Sequence, residues 1–417
     1  MADLDHAATD DIPATSPDTN GRVKVPPVWV LGISYAPVGI GCSVTLVALP
    51  QLLAADHVPE ATIATITAAA LLPGFVAFLF GPLLDWRLRR KTYAIVFTLL
   101  GAAGLFAALL SKHNLAALAF WEFFAMLMIA VGANAVGGWF STLVPESKAG
   151  ALGAWFTAWN IGAGGFTSIF AVNLIRATSL GFGAIILACW AAAAVVLYAM
   201  LPCRDADGRL AHESIRAFAH DTLASCKSPR VLWSLLLFLS PAASFAITNI
   251  LGGLGRDFAT SEYLVGMLVG VGAMIAGVVG SLAMPLVERK IPLRPLYLVI
   301  GLCGALGTLF VLALPREPFA FALAILGENV SQAAAFAVVY GITLRTVGEN
   351  NPLAATQFSL LSSAMCLPLT YMQVLDGHGY GLGQLPGLFF MDAGISGTAS
   401  LLLLAVFWKF RRALPPL

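Results

Sequence analysis

Twelve apolar runs, each about 20 residues long and nearly free of charge, constrain this chain most, because a helix of that length crosses the roughly 30 Å hydrocarbon core of a bilayer. The first six begin near Val28, Ile63, Thr92, Leu115, Gly150 and Leu180. The second six begin near Val231, Tyr263, Leu293, Phe319, Leu353 and Leu385. Hydrophobic residues make up 59% of the chain and charged residues 11%, against about 25% charged in a soluble domain. So apolar a chain cannot cover itself with polar surface, and its solvent is expected to be largely lipid. A net charge of +1 gives no electrostatic footing for nucleic acid. The six cysteines lack the paired spacing of a zinc site or a disulfide framework and read as small buried hydrophobes. The expected class is an all-α membrane protein of 12 transmembrane helices.

Lys and Arg favour the cytoplasmic side of a membrane. With the N-terminus inside, every Lys and Arg except Lys112, Arg176, Arg256 and Arg316 falls on the inner side. Both termini are therefore expected to be cytoplasmic, and an odd number of spans would scramble the asymmetry. Residues 1–27 are polar and lack a basic stretch ahead of a short apolar core, so they read as a disordered cytosolic tail and not as a signal peptide. Residues 28–201 form a first bundle of six spans and 231–410 a second. Between them, 202–230 is a cytosolic linker whose Leu210, Ile215, Phe218 and Leu223 predict an amphipathic helix lying on the membrane surface. His212 and His220 belong to its polar face.

The two halves echo each other. Pro37 and Pro241, Pro82 to Asp85 and Pro285 to Glu288, Glu122 and Glu328, and Pro145 and Pro352 recur in order at an offset of about 205 residues. Parallel six-helix repeats place a substrate site between the halves, near the midplane.

The loop after span 2 reads Gly81-Pro82-Leu83-Leu84-Asp85-Trp86-Arg87-Leu88-Arg89-Arg90-Lys91. It resembles the signature loop of the major facilitator superfamily, with Trp86 and Leu88 as departures. The resemblance implies a cytoplasmic charge network that favours one access state, with Asp85, Arg89 and Arg90 as its members here. Glu288 and Arg289 are their echo. Later, Glu328-Asn329 and the run Ala354 to Ser363 resemble the peptide/acetyl-coenzyme A transporter branch, in particular the AmpG-like muropeptide permeases. That family has a basic residue five positions before the Pro of the span 2 motif, where this chain has Ala77. The resemblance implies a bacterial inner-membrane permease that brings a muropeptide or related cell-wall sugar–peptide into the cytosol. A siderophore or an acyl-coenzyme A compound is the alternative cargo.

Ionisable groups inside the membrane are functional candidates because each is costly to hold there. All six histidines fall in tails or loops, and no Lys or Arg falls at a midplane. Glu122, Glu328 and Asp392 remain. Glu328 lies near the middle of span 10 with Gln332 one turn on, a placement suited to loading and releasing a proton. Glu122, closer to the outer third of span 4, is placed where it could reach the interface or serve within its own half. Asn134, Asn160, Asn249 and Gln373 can hydrogen-bond a sugar or amide, or serve as glue between helices. Gly162, Gly164 and Gly165 in span 5 and Gly266 and Gly270 in span 8 are expected to allow close helix approach. Pro37, Gly39, Gly41 and Pro241 predict bent or broken helices at spans 1 and 7.

The expected function is secondary active transport by alternating access, as a symporter with a proton on Glu328. The expected partners are a small-molecule substrate, protons and the lipid bilayer, with the chain acting as a monomer and without a cofactor or metal. A membrane transferase would need His with a carboxylate, or clustered acids holding Mg²⁺, and neither is present. A Gly-x-x-x-x-Gly-Lys loop for ATP is also missing.

Overall fold

The computed structural model describes residues 25–203 and 215–410, which are helical with no strand among them. Residues 1–24 of the proposed tail, together with Leu210 and His212 of the linker, lie outside the described residues. Among the described residues, ten helices are long and apolar enough to cross a membrane by length and composition. Spans 1 to 6 are Val28–Ala55, Glu60–Leu84, Arg90–Leu110, Leu115–Leu143, Glu146–Ala177 and Leu180–Met200. Spans 8 to 10 are Glu262–Glu288, Leu293–Leu312 and Pro318–Val347. The helix Ala354–Phe410 counts 57 residues, or about 85 Å at 1.5 Å per residue, far more than one crossing. Its backbone leaves the helical region at Gly383 and Gln384, which divides it into span 11 (354–382) and span 12 (385–410).

Span 7 is the broken one, and its sequence says why. Pro229–Leu239 is regular helix; Pro241 then follows an extended Ser240, and Phe245 adopts a left-handed φ of 49°. Backbone groups freed inside a membrane must find protein partners. Ser400 Oγ donates to the Ala242 carbonyl at 2.7 Å, and Thr248 Oγ1 and Gln332 Nε2 donate to that of Phe245 at 2.8 and 3.2 Å. Span 1 is irregular as well, with a 3₁₀ turn at Ile33–Tyr35 and a wide turn at Val44–Ala48 on either side of Pro37.

Two apolar clusters lie wholly within spans 1 to 6, one around Leu105, Ile129 and Leu187 and one around Leu53, Ile66 and Leu118. Two others lie wholly within spans 7 to 12, around Phe238 and Tyr297 and around Phe258, Phe321 and Phe389. A fifth joins the halves, running from Trp139, Phe140 and Phe156 to Tyr340, Ala355 and Phe358. It sits toward the end that carries the described termini and most Lys and Arg, called here the basic end; the opposite end is the far end. The cysteines form no disulfide among the described residues; contrary to expectation Cys189 and Cys303 are exposed, and the other four are half-buried.

Gly164 lies against the backbone of Gly39, and Gly165 against the Met274 side chain of the other half. Gly266 and Gly270 do not fulfil their expected role, because the space beside each is open. Gly266→Ala is therefore expected to leave stability unchanged or to raise it by about 0.5 to 1 kcal/mol, through a less flexible unfolded chain and a better helix former. Thermal unfolding in detergent measures this, and a marked loss would show that the glycine packs.

Candidate functional site

At the basic end, span 2 stops at Asp85 and the chain turns through Arg87, whose φ is 63°. The turn aims the Asp85 carboxylate at the first residues of span 11. Asp85 Oδ1 accepts from the Ala355 N–H at 3.1 Å, and Oδ2 accepts from the Thr356 N–H and the Thr356 hydroxyl, each at 2.7 Å. A carboxylate is favoured at a helix N-terminus because unpaired N–H groups and the helix dipole converge there. Arg90 Nε, at the start of span 3, closes the clasp on Oδ1 at 2.7 Å. Its Nη2 donates to the Asn351 and Pro352 carbonyls at 3.2 and 2.9 Å. Asp85 and Arg90 are each 1% exposed.

The echo acts in the crossed direction. Glu288, ending span 8, presses its carboxylate against Gly150 near the start of span 5 and pairs with Arg345. Each half thus reaches a helix start of the other. Arg89 and Arg289 are exposed and take no part in either pair. Next to the clasp, Asn351 Nδ2 donates to Gln357 Oε1 at 2.7 Å. Gln357 Nε2 in turn donates to Ser225 Oγ at 2.6 Å, tying in the linker helix Ile215–Cys226. Tyr35, Phe156 and Tyr340 cover the clasp from within, with ring centroids 4.0 to 5.9 Å apart.

Past the crossing of spans 5 and 8, which runs from Gly165 and Met274 to the turn at Leu268–Gly272, the halves part. Among the described residues, no hydrogen bond, ion pair or apolar cluster joins them toward the far end. The molecule is latched at one end and open at the other. The cavities of about 510 and 430 Å³ beside Glu349 and beside Lys91 lie at the basic end, away from the midplane.

The membrane-embedded carboxylates occupy equivalent positions in the two halves but separate surroundings. Glu122 accepts from the Thr45 hydroxyl of span 1 and is 1% exposed. It is held between spans 1 and 4 and does not reach the interface. Glu328 accepts from Thr308 Oγ1 of span 9 at 2.6 Å and is 7% exposed. Gln332 turns instead to span 7, since four residues on a helix overshoot one turn by about 40°. Asn249 and Gln373 meet at 3.4 Å between spans 7 and 11, exposed. Asn134 is buried in span 4, and the Asn160 backbone packs under Gly39. Glu122 and Glu328 are not brought into one site.

Asp392 is buried in span 12, and close by is a residue the sequence reading missed, Asp376, fully buried in span 11. A span of about 20 residues starting at Leu353 ends short of Asp376 and leaves it in a loop. Span 11 in fact runs to residue 382, and Met372, Asp376 and Gly379 share its buried face. Their spacing was the available signal. Ala77, where the resembling family has a cation, is 1% exposed within the cluster that joins the halves.

A family model described as Major Facilitator Superfamily matches residues 31–369. No curated protein matches the chain by sequence. Among solved structures it is similar to the transporter FucP in the outward conformation, with a TM-score of 0.69 and 16% identity over 94% of this chain and 99% of that one. It is also similar to a bacterial homologue of the iron transporter ferroportin in the outward-facing state, at 0.67 and 16% over 92% and 98%. A third is the proton:xylose symporter XylE bound to 6-bromo-6-deoxy-D-glucose, at 0.64 and 12% over 92% and 94%. At these identities the likeness is one of fold.

Proposed function

The chain belongs to the Major Facilitator Superfamily, and from that premise we propose that it is a proton-coupled symporter importing a muropeptide or related cell-wall sugar–peptide by alternating access. Membership makes it a multi-pass membrane transporter of small molecules and not an enzyme. The observation that carries alternating access is the pairing of a latched basic end with an open far end. With the basic end in the cytosol, as the distribution of Lys and Arg argues, this is the outward-open state of a monomer in a bacterial inner membrane. Loading a proton or a substrate shifts that state only through a difference in affinity between the two access states. Glu328 supports the coupling role, buried at mid-span with one oxygen held by Thr308 and the other without a partner among the described residues.

The cargo class rests on the resemblance of Glu328-Asn329 and of Ala354 to Ser363 to muropeptide permeases. Thr356 and Gln357 of that run serve the clasp, so the run argues for a shared gate and Glu328 for shared coupling. Ala77 offers no cation to an anionic group, which favours a cargo less charged than the family's.

The test is uptake of labelled N-acetylglucosaminyl-anhydromuramyl peptide into proteoliposomes under an imposed proton gradient. Glu328→Gln is expected to lower gradient-driven uptake at least about tenfold, the scale of a typical coupling free energy, while leaving substrate exchange across a membrane without a gradient. Absence of uptake by folded, reconstituted protein would overturn the muropeptide assignment and turn the search to siderophores and acyl-coenzyme A compounds.

A further inference from the structure

Spans 10, 11 and 12 each bring one carboxylate to the same level of the second half. Glu328 lies one turn inward of Ile325, and Asp392 one turn inward of Leu388 and Phe389. Asp376 lies one turn inward of Gly379, where span 11 crosses span 12 at Gly387 in backbone contact. That contact sets the separation of the two helices and turns Asp376 toward Asp392. Asp392 lies close enough to act electrostatically on both Glu328 and Asp376, and Asp376 on Glu328. The apolar cluster of Leu254, Phe258, Phe321, Leu385 and Phe389 caps the group toward the far end.

The hydrogen bonding of these acids is incomplete in a consistent way. Glu328 Oε2, both oxygens of Asp376 and Asp392 Oδ1 have no donor among the described residues. Asp376 is 0% exposed and Asp392 4%. Buried ionised carboxylates without a donor or a cation are not tolerated. Nor do the neighbouring elements supply a cation. Span 9 offers Thr308, and its Arg294 sits at the basic end, as do Arg345 of span 10 and Lys409 of span 12. Span 8 brings only Glu262 and Glu288 at its two ends, and span 5 brings Arg176 at its far end. At the far end of span 7, Asp257 accepts from Tyr380, and Arg256 pairs with Glu262 in solvent. His378 is exposed on span 11, bonded to the Val374 carbonyl. No described group of three His, Cys, Asp or Glu has the arrangement of a metal site. The occupant that fits four free acceptor oxygens in an apolar enclosure is the proton.

We propose that Asp376 and Asp392 complete a three-carboxylate proton site with Glu328, so that the coupling proton belongs to the cluster and not to one residue. This rests on Glu328 being the coupling group and deepens that reading. Interacting carboxylates release protons in macroscopic steps that belong to the set, each negative charge opposing the next, so a cluster spreads the proton response of this transporter over a wider pH range than one acid could.

The first readout needs no substrate: the infrared C=O stretch of protonated carboxyl groups in the purified, reconstituted protein, followed over pH. Asp376→Asn and Asp392→Asn are each expected to remove part of that signal and to shift the titration midpoint of the remainder by at least about one pH unit, the scale of coupled sites. In gradient-driven uptake, each is expected to narrow the pH range over which uptake changes. Where an Asn variant fails to fold, Glu328→Gln removes another of the three acids, and a shift of the same size in the remaining signal is expected. Remaining carboxyl groups that titrate unchanged in the variants would overturn the cluster. If that happens while Glu328→Gln still abolishes gradient-driven uptake, Glu328 couples alone. If the carboxyl groups prove coupled but Glu328→Gln leaves driven uptake intact, the cluster stands and its role in coupling falls.

Discussion

Asp85→Asn is expected to unlatch the basic end and to raise the reactivity of Ser359→Cys toward a membrane-impermeant maleimide about a hundredfold, in a background without the six native cysteines. Asp85 holds two backbone N–H groups and a hydroxyl of span 11 together with the Arg90 guanidinium, all out of water. Asparagine keeps the shape but turns one acceptor into a donor, aimed at groups that are themselves donors. It also removes the charge facing Arg90. Breaking a buried pair by losing one partner costs about 3 to 5 kcal/mol. The Asn351 and Pro352 carbonyls still hold Arg90, which places this case at the lower end. About 3 kcal/mol corresponds to roughly a hundredfold change in a two-state ratio. Ser359 is fully buried beside the clasp, so its replacement reports opening there. Gradient-driven uptake should fall with it, because the latched state is one half of the cycle. Labelling that stays at the level of the parent protein would show that the apolar contact between the halves, and not the carboxylate, holds the basic end shut.

Gly138→Leu tests that apolar contact directly, and its effect on transport is expected to be complete. Gly138, toward the basic end of span 4, has the Ala355 backbone where a Cβ would sit, and neighbouring Gly137 meets the Phe358 ring. A leucine cannot be absorbed by rotating a neighbour, because the obstacle is main chain. Overpacking of a tight contact costs typically about 1 to 3 kcal/mol, and here the strain falls only on the latched state, since parting the halves relieves it. Uptake is expected at background, with Ser359→Cys labelled even though Asp85 is intact. Gly138→Ala is expected to be intermediate. The far-end clusters of each half do not include this position, so the variant should remain folded in size-exclusion chromatography. Normal uptake by Gly138→Leu would mean that the halves never close this tightly during transport.

Much of the architecture was legible because lipid imposes few solutions. The apolar runs follow from length and transfer cost, and the observed helices begin within a few residues of the expected starts. Pro241 marked the break in span 7 correctly, because proline removes a donor wherever it stands. Facing was harder to read. Glu328 and Gln332 share a stripe on a helical wheel yet bond to different helices, since the choice depends on where span 7 breaks. Glu122 gave no sign that Thr45 would meet it, because the partner comes from another helix. Asp376 was lost to an assumed span length, and Gly266 and Gly270 were over-read because a glycine in a membrane helix does not say which neighbour, if any, comes close.

Span 11 holds Thr356 near one end and Asp376 near the other, about 30 Å apart at 1.5 Å per residue. Between them stands Pro368, which removes one backbone rung from the helix, and beyond Asp376 the Gly379–Gly387 crossing binds span 11 to span 12. The latch and the proposed acid cluster therefore share one helix. A change of charge at Asp376 would need no relay of side chains to bear on the latch: a tilt of span 11 as a rod would move Thr356 relative to Asp85. The helix that closes the basic end is the same helix that carries one of the acids toward the far end.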